Sequence, residues 1–268
     1  MNDNIDTMQT IFWRTRATFS GFGRDVNLLL LATGILAISF FGILMLLKIL
    51  YVLRLGYGPA YLGIFNAAGA LGYMAMSLPA GALGTRLGLK QAMFFGVAIS
   101  MFGIAMMPFA EFVPTWAQSS WPILSQIILS GGYAMFSINL VPALMAVTSV
   151  ENRNSAYALS STLRGLGTFV GTIFGGLLPG FFAVLVGQSV DTPAPYRLAL
   201  WLGAAFGLMA LLPLARLQTS EVDDEVLEFD VSVERTFPLL PMTLLIVYVC
   251  FSQAANATCQ SFCSAYMD

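Results

Sequence analysis

Seven long apolar stretches divide the chain, at about residues 27–51, 60–83, 91–110, 121–148, 156–186, 196–216 and 238–262. Each is long enough for a bilayer-spanning helix, which needs roughly 20 apolar residues. The breaks carry turn chemistry. Gly56-Tyr57-Gly58-Pro59 closes the first stretch, and Pro59 suits the start of the next helix. Pro114 lies between the third and fourth, and Pro122 fits the first turn of the fourth. Glu151-Asn152-Arg153-Asn154 separates the fourth from the fifth, and Asp191-Thr192-Pro193-Ala194-Pro195 the fifth from the sixth. The pattern predicts an all-α membrane protein.

Composition agrees. Of 268 residues, 57% are hydrophobic and 10% charged, against roughly 25% charged in a soluble domain. So few charges cannot cover so much apolar side chain, and lipid must solvate much of the surface. There is no basic patch with interleaved aromatics, which argues against nucleic acid as a partner. The chain has no histidine and no G-x-S-x-G or H-E-x-x-H motif, which argues against a membrane hydrolase or any other enzyme. Cys250, Cys259 and Cys263 cluster near the C-terminus without upstream partners, so they form no disulfide framework. Without histidine their spacing is a weak zinc signal, and no metal or cofactor is expected. The sequence is polar through Asp25 and does not resemble a cleaved signal peptide.

Positive charge orients the spans. With the N-terminus in the cytoplasm, the inside segments hold Arg14, Arg16, Arg24, Arg86, Lys90, Arg153, Arg216 and Arg235, and the outside loops hold Arg54 and Arg197. That is the bias expected of an integral protein of the cell membrane (plasma or inner). Four regions are expected: a cytoplasmic N-terminal segment, 1–26; a six-helix bundle, 27–216; an acidic cytoplasmic linker, 217–237; and a seventh helix with its outer end, 238–268.

The stretch Gly81–Lys90, GALGTRLGLK, lies between the second and third apolar runs. Gly81, Gly84 and Gly88 suit a tight connection between antiparallel spans. Arg86 and Lys90 would hold it at the cytoplasmic face. Here the sequence resembles the major facilitator superfamily of secondary transporters, whose second-to-third loop reads G-x-x-x-[DE]-[RK]-x-G-x-[RK]-[RK]. Gly81, Arg86, Gly88 and Lys90 match; Thr85 replaces the acidic residue and Gln91 the last basic one. The runs GYGPAYLGIFNAAGALGYMAMSLPAG and VPALMAVTSVENRNSAYALSSTLRGLGTFVGTIFGGLLPG are also similar to that family.

The resemblance implies a six-helix N-terminal bundle of 3+3 inverted repeats plus one further helix. It implies transport of a small solute by alternating access, with helices one, four and seven lining a central cavity and two and five between the halves. The family's acidic loop residue helps latch the halves together, and Thr85 brings no charge to that role. Five helices of the family are missing after the seventh, so the chain reads as truncated. Its other reading is a non-transporting scaffold or half-transporter that needs a partner chain to supply the missing half.

Helical spacing sorts the polar residues of the spans. Asn66 and Tyr73 share a face with Gly63, Ala70 and Ser77 in the second; Gln126, Ser130, Tyr133 and Ser137 align in the fourth; Gln253, Asn256 and Gln260 align in the seventh. These are the candidates for lining a solute cavity, with helix packing as the competing role. Asn139 lies on nearly the opposite face from Ser137 and is expected to pack. Arg164 is charged well inside the fifth span, about 12 Å along the helix from Ala156 at ~1.5 Å per residue. It either attracts an anion or gates, or it snorkels to the headgroups. Gly167, Gly171 and Gly175 read as a packing ladder. Lys48, near the outer end of the first span, is expected to snorkel. No Asp or Glu lies deep in any span.

Overall fold

The computed structural model describes residues 22–218. Six long apolar helices occupy them: α1, Arg24–Arg54; α2, Pro59–Leu87; α3, Leu89–Glu111; α4, Thr115–Val147; α5, Val150–Val186; and α6, Pro193–Arg216. The shortest has 23 residues and so reaches about 35 Å, enough for a hydrocarbon core of about 30 Å. No strand occurs among the described residues. The acidic linker, the seventh apolar stretch, the three cysteines and the candidates Gln253, Asn256 and Gln260 lie outside the described residues.

The helices begin and end where the sequence supplies the backbone chemistry. Pro59 opens α2 and Pro193 opens α6, each in a first turn where the missing N–H costs nothing. Gly187 ends α5 in the left-handed conformation, with φ 68°. Pro79, Pro142 and Pro179 lie inside α2, α4 and α5. Residues Ala37–Leu44 of α1 wind as a π-helix, a departure common at functional positions.

The helices interleave. α4 packs most closely on α2 and α3, and α1 packs on α5 and α6. So α1 stands to α5 and α6 as α4 stands to α2 and α3, the relation expected of two three-helix repeats that exchange their first helices. Matching hydroxyls mark it. Ser39 of α1 donates to the Gly203 carbonyl of α6 at 2.8 Å, and Ser125 of α4 donates to the Gly103 carbonyl of α3. Tyr51, Phe65, Met93, Met101 and Leu129 are among the fully buried side chains of the core. Leu71, Leu78, Phe169, Phe174 and Val184 are exposed, far more apolar surface than a soluble monomer leaves uncovered.

The two ends of the bundle differ in charge. At one end Lys90 Nζ donates to the Leu217 carbonyl at 2.6 Å, and the Gln218 N–H donates to Asp25 Oδ1 at 3.2 Å. A cavity of about 210 Å³ lies there, with Arg24 and Lys90 in its wall. At the other end both cations face carboxylates, Arg197 to Glu111 at 3.1 Å and Arg54 to Asp191 at 3.7 Å. Tyr51 adds hydrogen bonds to the Pro108 carbonyl and Glu111. Trp121 and Trp201 donate to the carbonyls of Met106 and Ala105, as suits aromatic side chains at a membrane interface.

One expectation needs correction. GALGTRLGLK is not a loop: α2 runs through Leu87 and α3 starts at Leu89, so Gly88 alone joins them. Gly88 makes the turn itself, while Gly84 lies inside α2 and packs on Asn139.

Candidate functional site

The α4 stripe is continuous along the helix but not uniform in surroundings. Gln126 is 4% exposed, while Ser130, Tyr133 and Ser137 are half-buried. Gly69 of α2 makes room for Gln126: a Cβ there would collide with the Gln126 side chain and come within 3.0 Å of Ser130 Oγ. Gln126 Nε2 donates to Ser130 Oγ at 3.5 Å. One turn on, the hydroxyls of Tyr73 and Ser137 are hydrogen-bonded at 3.0 Å across the α2–α4 contact. Asn66 lies on the same face of α2, half-buried and partnered.

Lys48 also belongs to this group. It does not snorkel: it is 6% exposed, its Nζ donates to Gln126 Oε1 at 3.4 Å, and it lies 6.0 Å from the centre of the Phe65 ring. The face of α1 on which it sits turns inward between α2 and α4, so the ammonium is enclosed before the stem can reach the headgroups. Distance from the helix end suggested otherwise, and periodicity within α1 alone does not say which neighbours it meets.

Aromatic rings connect this group to α5. Tyr133 stacks on Phe40 with centroids 4.3 Å apart and meets Phe41 edge-on at 5.4 Å. Both phenylalanines come from the π-helical turns of α1. Arg164 is exposed, and its guanidinium lies over Phe41, 5.6 Å from the ring centre. Among the described residues, then, Asn66, Tyr73, Gln126, Ser130, Tyr133, Ser137 and Arg164 come from three helices onto one side of the bundle, and α1 adds Lys48, Phe40 and Phe41.

Asn139 faces away from them. It is buried and donates to the carbonyls of Ala80, at 3.0 Å, and of Met135, at 2.8 Å, a packing role. Gly167, Gly171 and Gly175 line the contact of α5 with α1, as a packing ladder should.

The family model described as Major Facilitator Superfamily matches residues 29–267. The chain belongs to that superfamily. Among curated proteins it is similar to two from Brucella abortus, of biovar 1 (strain 9-941) and of strain 2308, each named "Glucose/galactose transporter". Each is 25% identical over 181 residues, which is 65% of this chain and 41% of the relative. The alignment therefore spans less than half the length of the relatives it matches.

In this facilitator bundle the motif residues of the α2–α3 junction hold separate positions. Gly88 has φ 90° and ψ 146°, a conformation that only glycine adopts without strain. Gly84 packs so closely on Asn139 that a Cβ would overlap the amide. Gly81 faces open space. Thr85 Oγ1 donates to the Ala82 carbonyl of its own helix at 2.9 Å. Arg86 is exposed, and Lys90 ties the start of α3 to the end of α6.

Proposed function

We propose that the chain carries a small, hydroxyl-rich solute across the cell membrane by alternating access, with the face shared by α1, α2, α4 and α5 as the wall of the solute path. Membership of the superfamily supports a carrier and not an enzyme. The observation that carries the reading is the concentration of polar groups on one side of an otherwise apolar bundle. Amide and hydroxyl groups at Gln126, Ser130, Tyr73 and Ser137 lie beside the rings of Tyr133, Phe40 and Phe41. Polar donors and acceptors beside flat rings suit a monosaccharide, and the names of the relatives favour the same class. A rocking cycle sets this face against a second bundle across a midplane site. The acidic stretch, 217–237, and the apolar stretch that follows it are read as the passage towards that second bundle.

The N-terminus is placed in the cytoplasm. Arg24, Lys90 and Arg216 form no ion pair among the described residues, against the ion-paired cations at the other end, and this supports that orientation. Cysteine at Ser119 should be labelled only from outside and cysteine at Gln218 only from inside; outside labelling at 218 overturns the topology. For the function itself, the chain is reconstituted in proteoliposomes and uptake of radiolabelled glucose and galactose is measured. Saturable uptake that is lost on Gln126→Leu and Tyr133→Ala supports the reading. Uptake that neither substitution alters refutes the assignment of this face.

A further inference from the structure

Lys48 has a bonding deficit. An ammonium has three N–H donors, and among the described residues Lys48 makes one hydrogen bond, at 3.4 Å, to the neutral Gln126. It is nine-tenths buried. An enclosed charge is stable only with compensation from opposite charge or several acceptors.

The described residues offer it no carboxylate. Their four are Asp25, Glu111, Glu151 and Asp191. Asp25 accepts from Gln218 at one end of the bundle, and Glu111 and Asp191 face Arg197 and Arg54 at the other. Glu151 is exposed in the first turn of α5. Arg164 on α5 repeats the imbalance: its neighbour is the Phe41 ring, not an acid. Among the described residues, Arg197 and Arg54 are thus balanced by carboxylates, and the two cations on the polar face are not.

We propose that the polar face takes a solute bearing a carboxylate or a phosphate, with Lys48 and Arg164 supplying the positive charge. This rests on the solute-carrier reading above and narrows its substrate class. Gln126 orients the Lys48 ammonium by accepting a hydrogen bond from one of its N–H groups, and two donors remain for anionic oxygens. The ring of Phe41 lies 5.6 Å from the Arg164 guanidinium and meets Tyr133 edge-on, which provides a flat surface for the uncharged part of the solute. The Phe65 ring lies 6.0 Å from the Lys48 ammonium, which lowers the local dielectric and strengthens attraction to an anion.

The test uses the full chain in lipid nanodiscs and three probes with one sugar ring: galactose, galacturonate and galactose 1-phosphate. Calorimetry gives the dissociation constants. At least one anion should bind about tenfold or more tightly than galactose, as charge-assisted hydrogen bonds require. The preference should fade as salt is raised, and whether the acid or the phosphate ester leads tells carboxylate from phosphate recognition. Lys48→Met and Arg164→Gln should each remove the preference, and Lys48→Arg should keep it. Arg164 is exposed, so its substitution tests the idea even where Lys48→Met fails to fold by circular dichroism and size-exclusion chromatography. Galactose binding as tightly as both anions overturns the anion proposal and leaves the carrier reading standing. Anion preference that survives Arg164→Gln and Lys48→Met also overturns it. Absence of binding by all three sugars counts against both readings.

Discussion

Two of the helix contacts in this bundle are counterparts by repeat logic: α1 with α5, and α2 with α4. They are built differently. In the α1–α5 contact backbone meets backbone. A Cβ on Gly171 would run into the Ile38 carbonyl and within 2.8 Å of Gly42 Cα; on Gly167 it would meet the Ala37 Cβ; on Gly175 it would come within 3.2 Å of Ile43 Cα. In the α2–α4 contact backbone approaches backbone at Gly72, where a Cβ would lie 2.8 Å from the Ile127 carbonyl. At Gly69 and Gly84 the room made by the missing Cβ is filled by the polar side chains of Gln126 and Asn139. One contact is a dry weld and the other a polar seam. The difference shows how one packing device, glycine against a helix, serves both rigidity and site construction: the same vacancy is closed by backbone or by an amide.

The weld should be the less tolerant. Gly171→Val puts a branched side chain against two backbone segments that can retreat only together. Overpacking of this kind costs about 3 kcal/mol or more. A large fall in the thermal midpoint in detergent, or loss of folded protein, is expected. Gly69→Val, its counterpart in the polar seam, should cost less, because Gln126 can rotate away. Equal losses would erase the distinction between the contacts.

Gly88→Leu acts on the polar seam from outside, through the angle at which α2 leaves α3. At φ 90° a side chain is strained by about 1–3 kcal/mol. The midpoint should fall, and hydrogen exchange should rise in α2 before α5. Faster exchange in α5 first would show that the junction serves the weld instead.

Gln126→Leu probes the chemistry of the seam. It removes the acceptor of Lys48 and should cost about 1–3 kcal/mol, the usual effect of a buried donor left unpaired. Lys48→Met in the same chain should recover most of the loss, since the charge and its unmet donors vanish together. Additive losses in a double-mutant cycle would mean that the 3.4 Å contact carries no coupling.

How much of this was legible in sequence follows from what each signal measures. The six described spans were, because a bilayer demands long apolar runs and the chain obeys. Their ends were not: Arg24, Arg54 and Glu111 lie in the helices, since a helical backbone continues into the interface after the apolar run stops. The α4 stripe at Gln126, Ser130, Tyr133 and Ser137 was legible because four positions on one helix follow one period. Its partners on other helices were not. Lys48 meets Gln126 across 78 residues, and no periodicity within α1 encodes that meeting. Glu111 was missed as the partner of Arg197 and Tyr51; its position as an acid between two apolar runs was the available signal. Gly81–Lys90 was legible in part: Gly88 makes the turn and Gly84 makes a close approach, but the helix runs on through Leu87, which the glycines did not suggest.

The smallest expected effect separates the contacts most cleanly. Ser137 of α4 reaches across to Tyr73 of α2 at 3.0 Å, and both positions are at least partly open. Thr168 and Thr172 of α5 spend their hydroxyls on their own helix, donating to the carbonyls of Arg164 and Thr168 at 2.8 Å. Ser137 also donates to the Ala134 carbonyl of its own helix at 3.3 Å, so it is the added bond across to α2, which Thr168 and Thr172 lack, that restrains the seam. Ser137→Ala should therefore lower stability by only about 0.5–1 kcal/mol, since water can take the vacated place. It should also free the Tyr73 ring and weaken solute binding at the polar face. Thr172→Ala should change neither quantity. Thermal midpoints and calorimetric titration of the two variants side by side check this. If the two behave alike in both, hydroxyls do not tell the α2–α4 contact from the α1–α5 contact, and the polar seam is packing alone.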